Sequence, residues 1–389
     1  MKIRNRCSVL ALLCLLAILP AVPQTPNQKF LVLVGTYTDK TDSKGIYAYE
    51  FDAATGKLTP KGLAAESSNP SWVVIHPNGK WAYAANESGK QSSISAFSID
   101  AKSAKLTLLN KLPAAGEDPC YLSLDKTGKF LFAANYTSGN VVVFPILPDG
   151  KLGEHTSSIQ DGGVLGPNKE RQEAPHAHWV EVAADNRFVF VTDLGLDRVL
   201  SYRFDISNGT LNGPPLSSYS LHKNAWSIPV NPGDGPRHAV LGATGHIYVL
   251  GELQSTVTDI LLDPNKDIEP VQRISTIPSD YKGRAEAAEV VLHPNGKWLF
   301  ASNRGPDSIA VFAVDPVAGM LRPAGIFPTG GKEPRHFAID PTGKFLLAEN
   351  QNSNSIVIFR INPEIGALTQ ISTTEGIPSP VCLTFLRTP

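Results

Sequence analysis

Short apolar runs recur along the chain in one arrangement: two runs separated by a tight turn. The segment Trp81–Asn86 returns as Phe130–Asn135, Phe188–Asp193, Ile247–Glu252, Trp298–Asn303 and Phe345–Asn350. Before most copies stands a turn signal, as in Pro77-Asn78-Gly79, Lys126-Thr127-Gly128, Pro294-Asn295-Gly296 and Pro341-Thr342-Gly343. Glycine supplies the positive φ that such turns need. Another short strand precedes each turn, for example Trp72–Ile75 or His336–Ile339. A third follows, as in Ser93–Ile99, Asn140–Phe144, Ser308–Val314 and Ser355–Ile361, and a weaker fourth comes after turns such as Ala318-Gly319 and Ile365-Gly366. The period is roughly fifty residues, near the range of propeller blades, and each repeat supplies four antiparallel strands. A β-sandwich would not repeat so regularly.

The two ends fix the number of repeats. Phe30–Gly35 aligns with the Trp81 strand, so the first repeat begins at its second strand. Pro380–Phe385 aligns with the strand that starts at Pro119, so the chain ends on a first strand. The C-terminal strand is therefore expected to complete the N-terminal blade. The predicted fold is an all-β, seven-bladed β-propeller without a long open sheet edge.

Composition narrows the function. The 389 residues are 42% hydrophobic, enough for a large core, and carry 35 basic against 36 acidic side chains, a net charge of −1. No basic face is implied, so nucleic acid is not an expected partner. The N-terminus departs from the rest: Lys2, Arg4 and Arg6 precede the apolar run Val9–Leu19, which Pro20 to Val22 break. This pattern predicts a signal peptide over residues 1–25 and a mature propeller over 26–389. The protein is then exported, periplasmic or secreted, with no membrane span left after signal removal; a retained signal anchor is the competing reading. Cys7 and Cys14 fall in the signal. Cys120 and Cys382 remain, too few for a disulfide framework, and are read as small buried hydrophobes. No zinc spacing, serine elbow, P-loop or dinucleotide fingerprint is present. No metal or other cofactor is expected, and a closed ring is expected to be monomeric.

Exposed positions at which the repeats disagree are free to carry function. Two columns vary informatively. The first opens each first strand: Ser71, Cys120, His178, Arg237, Ala288, Arg335 and Val381. The second closes each second strand: Gly35-Thr36, Asn86-Glu87, Asn135-Tyr136, Asp193-Leu194, Glu252-Leu253, Asn303-Arg304 and Asn350-Gln351. Antiparallel pairing places the start of one strand beside the end of the next. His178, Arg237, Arg335, Asp193, Glu252 and Arg304 are therefore expected at one mouth of the central channel. Acids, arginines and a histidine together suit general acid–base chemistry on an anionic or carbonyl group. Structural ion pairs at the rim are the competing reading.

Further candidates follow by position. His176 is expected to point the same way as His178. His238 is expected to face away, into the blade. Glu289 reaches the mouth or pairs with an arginine, and the carboxylates of Asp193 and Asp197 hold His178 or an arginine. His76 and His293 sit at matching turns and are read as structural. The long loops 162–173 and 217–233 are placed to cap the mouth.

These residues resemble a known family. Pro175-His-Ala-His-Trp179, Asp193–Asp197, Gly235-Pro-Arg-His238, Gly251-Glu-Leu253, Ser302-Asn-Arg-Gly305 with Asp307-Ser308, Pro334-Arg335 and Pro378–Cys382 together look like the lactonase family of seven-bladed propellers. That family includes cycloisomerase-type 6-phosphogluconolactonases and fungal carboxymuconate lactonising enzymes. The resemblance spans about residues 30 to 386. It implies hydrolysis, or reversible formation, of a lactone. It also implies His178, Arg237, Glu252 and Arg304 as catalytic residues; by position at the mouth, His176, Asp193, Glu289, Asn303 and Arg335 are expected to bind the substrate around them. In the implied scheme the arginines hold the carbonyl and its oxyanion, while His178 or Glu252 activates water. Export strains a phosphorylated substrate, because sugar phosphates are cytosolic. A muconate-type cycloisomerase, and a non-catalytic propeller binding a sugar acid or a protein, are the alternatives.

Overall fold

The computed structural model describes residues 28–213, 227–242, 245–262, 268 and 270–388. The predicted signal peptide, and much of the 217–233 loop, lie outside these residues. Seven antiparallel sheets follow one another around a ring. Blade 1 joins Lys29–Thr36, Gly45–Asp52 and Lys57–Glu66 to the C-terminal strand Pro380–Arg387, which pairs with Lys29–Thr36 as expected. Blades 2 and 3 begin at Pro70–Ile75 and Pro119–Leu124. Blades 4 to 7 begin at Ala177–Val182, Pro236–Leu241, Glu286–Leu292 and Pro334–Ile339. Blade 4 has a split outer edge: Thr210–Asn212 and Ser227–Pro229 pair with different parts of Arg198–Asp205.

Burial explains why the second strands read as unbroken apolar runs. Phe130–Asn135 and Phe345–Asn350 are buried at every position, because both faces of an inner strand meet neighbouring blades. Outer strands such as Leu368–Glu375 bury little more than their first residue. The core consists of seven apolar clusters, each shared by two adjacent blades. One of them joins Phe30 and Val32 of blade 1 to Phe345 and Leu347 of blade 7, which closes the ring. His76 and His293 confirm their structural reading. Each accepts a backbone N–H at Nδ1 and bonds through Nε2, at 2.8 Å, to the turn carbonyl of the next blade, Gly128 or Gly343.

Candidate active site

Every first strand starts with a register shift that frees one or two residues from pairing. In blade 4 the pairing jumps from Ala177 to Trp179 and frees His178; in blade 7 it jumps from Pro334 to His336 and frees Arg335. In blade 5 it jumps from Pro236 to Ala239, and both Arg237 and His238 are released. A bulge re-aims side chains and breaks the strict alternation of a strand. Gly235, at φ +61°, makes the turn that brings Arg237 to the axis.

At the mouth, three arginines converge on one carboxylate, and His178 joins them through Arg237. Arg237 Nη1 donates to Glu252 Oε2 at 2.7 Å and to His178 Nε2 at 2.5 Å, while its Nε donates to the Ala288 carbonyl at 2.7 Å. Arg304 Nη2 lies 3.3 Å from Glu252 Oε2, and Arg171 Nη2 donates to Glu252 Oε1 at 2.6 Å. The Arg237 donor requires a lone pair on His178 Nε2, so the imidazole proton sits on Nδ1, 3.5 Å from Cys120 Sγ. His178, Arg237, Glu252 and Arg304 are all buried. The Nε of Arg304 is a buried donor without an acceptor.

The electrostatics follow from this crowding. Burial alone would raise the Glu252 carboxyl, but Arg304, Arg237, His178 and Arg171 outweigh it and hold the group well below the usual carboxylate range. Burial, reinforced by the Arg237 charge, holds His178 well below the ordinary histidine value, so it is neutral at pH 7. Burial lowers Arg304 to about 10, still charged at neutral pH. Burial keeps the Cys120 thiol neutral, and Cys120 and Cys382 are both free and buried.

The other expected residues divide. Arg335 lines the channel with its guanidinium 5.3 Å from the Tyr37 ring centre, and among the described residues no carboxylate forms an ion pair with it, Glu87 and Glu252 acting on it only from a distance. His176 and His178 both meet the Tyr136 ring. His176 precedes the strand, stacks on Tyr136 at 4.4 Å and bonds the Tyr136 carbonyl at 3.0 Å, while His178 meets the edge of the same ring. Asp193 and Asp197 hold neither His178 nor an arginine. Asp193 accepts the His176 and Leu196 N–H groups, and Asp197 those of Gly233 and Gly235, because tight turns leave backbone donors to be satisfied. Asn303 spends its amide on Thr276 and Ser308, bracing the connection that leads into its own blade. Asn86, Asn135 and Asn350 bond equivalent loop carbonyls.

His238 and Glu289 correct the sequence reading most sharply. The two-residue bulges of blades 5 and 6 turn both toward the axis, one layer below the mouth. His238 Nδ1 lies 3.0 Å from Glu289 Oε2, which is 3.5 Å from His336 Nε2; His336 Nδ1 bonds Glu349. Glu289 therefore pairs with histidines, not arginines. Trp72 and Tyr121 stack at 4.1 Å beside this chain, and the edges of both meet His238, so aromatic rings floor the site.

Arg171 was not among the expected residues, although its loop was. That loop is pinned beside it: Gln172 is fully buried and donates to the Leu194 carbonyl at 2.8 Å. A Cβ on Gly195 would fall 1.7 Å from the Ala174 carbonyl, so glycine lets the loop press onto the mouth. Nothing in the repeat marks Arg171, because the loop joins blades and belongs to no repeated position. Tyr37, Tyr136 and Glu286 complete the rim; Glu286 lies 3.5 Å from Arg171 and 3.6 Å from Arg304.

Comparison with known proteins agrees with this fold. The family model described as lactonase, seven-bladed β-propeller, matches residues 31–385. The 6-phosphogluconolactonase of Bacillus subtilis is 35% identical over 361 residues, covering 92% of this chain and 99% of that protein. The 6-phosphogluconolactonase of Formosa agariphila is 35% identical over 79% of this chain and 86% of its own. Among solved structures, the periplasmic gluconolactonase of Pseudomonas aeruginosa superposes with a TM-score of 0.85 at 30% identity, over 93% of this chain and 100% of that one. The chain belongs to the lactonase family of seven-bladed β-propellers.

Proposed function

We propose that the protein hydrolyses a sugar lactone at the mouth formed by His178, Arg237, Glu252 and Arg304. The observation that carries this reading is the unspent hydrogen-bonding capacity of a buried, cation-rich site: Arg304 Nε has no acceptor. Preorganised donors of this kind stabilise a developing oxyanion, usually the largest catalytic contribution. On substrate entry Arg237 turns from His178 to the lactone carbonyl oxygen, beside Arg304. His178, neutral and relieved of that donor, accepts a proton from the attacking water as its oxygen bonds to the carbonyl carbon. The tetrahedral oxyanion then collapses, the bond to the ring oxygen breaks, and His178 returns the proton to that oxygen. Glu252 anchors the arginines; three guanidiniums make it a poor base.

The uncommitted guanidinium of Arg335 on Tyr37 is assigned to the hydroxyls, or phosphate, at the far end of the substrate. Residues 1–25 export the mature monomer, and an exported enzyme meets unphosphorylated sugar lactones. The likeness to a periplasmic gluconolactonase supports that choice. The test is acid release from gluconolactone, its 6-phosphate and an aryl lactone, corrected for spontaneous opening. Acceleration that is lost in Arg304→Ala supports the reading, with preference for gluconolactone over its phosphate. A folded protein that accelerates none of them is instead a binding propeller.

A further inference from the structure

The four residues of the proposed chemistry are sealed, and Arg171 lies on their open side. Its side chain is 34% exposed, against 2% for the Glu252 it touches. It reaches the mouth from the connection between Ser157–Gln160 and Ala177–Val182, bonds Glu252 Oε1 at 2.6 Å, and approaches Glu286 and the Tyr136 hydroxyl at 3.5 and 3.4 Å. The backbone beneath it is fixed: buried Gln172 holds one side, and the Arg171 N–H bonds the Asn168 carbonyl. The guanidinium can therefore change partners while its loop stays in place.

Charge at the site gives it a reason to do so. Arg171, Arg237, Arg304 and Arg284 form one network with Glu252, Glu286 and Glu333, in which Arg284 holds both Glu286 and Glu333. One positive charge is left over. A lactone is neutral, but opening it leaves a carboxylic acid, which releases its proton to solvent and becomes a carboxylate within this buried group, next to Glu252. Two carboxylates in a low-dielectric pocket repel strongly unless a further cation stands between them. Resting on the lactonase reading, we infer that Arg171 is a ligand-recognising residue. It leaves Glu252 for the anionic oxygen formed at the substrate's carbonyl, and so sets the affinity of the site for the sugar acid more than for the lactone.

The experiment compares wild type, Arg171→Met and Arg171→Lys. D-gluconate binding is measured by calorimetry, and its inhibition of gluconolactone hydrolysis is measured alongside KM. Arg171→Met is expected to weaken gluconate binding and raise its inhibition constant by about tenfold or more, the range of a charge-assisted hydrogen bond. KM for the neutral lactone should move less, and Arg171→Lys should restore part of the affinity. Equal gluconate affinity in Arg171→Met and wild type overturns the inference, as does a wild type that binds no gluconate. A proportional change in KM and inhibition constant without rescue by lysine also overturns it, because a tether for the loop would behave that way. A wild type that binds gluconate but opens no lactone defeats the lactonase reading instead, and calorimetry alone then decides the role of Arg171.

Discussion

The channel holds two layers of ionisable side chains, and on two bulged strands consecutive residues supply both, Arg237 with His238 and Arg335 with His336. The upper layer gathers arginines around Glu252 beside neutral His178. The lower layer alternates His238, Glu289, His336 and Glu349 under an aromatic floor. The lower groups spend their charges on one another, although His238 Nε2 and Glu349 Oε1 lack partners as Arg304 Nε does, whereas the upper layer keeps a surplus of cations, with Arg171 at its solvent side. One backbone device, the bulge, thus supplies both a site and its foundation, and the charge balance separates them.

The largest effect that tests this division is kinetic. Arg304→Ala is expected to lower kcat by about 10²–10³, the loss typical of one oxyanion donor. Its Tm should stay within a few degrees of wild type, since Glu252 keeps Arg237 and Arg171. A kcat within threefold of wild type would place the chemistry elsewhere.

Glu289→Gln should reverse the pattern. It leaves buried His336 short of a carboxylate and should cost about 3–5 kcal/mol of stability, the usual penalty for breaking a buried pair. Denaturant unfolding measures this, and activity per folded molecule should stay near wild type. A stable variant with lost activity would make the lower layer part of the catalytic machinery.

His336 of the lower layer should also answer pH with a sign opposite to that of His178 and Glu252. His178 and Glu252 are both lowered in the folded state, so the stability linked to them is complete above their ordinary values and fades as pH falls. For His336, burial works against the charged form, but Glu349 and Glu289 prevail and raise it. Its contribution is complete below the ordinary histidine value and is lost as pH rises through the folded one. The Tm difference between wild type and His336→Asn should therefore shrink from pH 6 to pH 9. A difference that widens over this range would mean that His336 is neutral in the fold.

How much of this was legible depended on repetition. The blades and their closure could be read because hairpins recur, and the mouth because His178, Arg237, Glu252 and Arg304 break a repeated column. His238 and Glu289 were misplaced because a strand was assumed to alternate without interruption, and a two-residue bulge leaves no mark in the apolar pattern. Asn303 had its answer in the sequence: asparagine at the same place in blades 2, 3 and 7 marks a shared bracing role. Arg171 lies in a connection, where the repeat says nothing.

The smallest expected effect lies at the rim, where a proton replaces an arginine. Burial pushes the Asp193 carboxyl up to about 6 and Asp161 well above its ordinary value. Tyr202 donates to Asp161 Oδ1 at 2.5 Å, while Oδ2 of each acid has no other partner among the described residues, so a proton shared between the two carboxyls is the expected arrangement. Both values are raised, so the stability linked to the pair is present at low pH and is lost as pH rises through about 6 and beyond. Asp161→Asn supplies a donor that cannot ionise. Its Tm should gain on wild type as pH rises from 6 to 9, with little difference at pH 5. A pH-independent difference would show that the acids do not share a proton. The connection that delivers Arg171 begins at Asp161 and is tied back through Asp193 to the His176 N–H. A gain confined to alkaline pH would thus show that the rim is held by a neutral contact, leaving the positive charge of the mouth for the ligand.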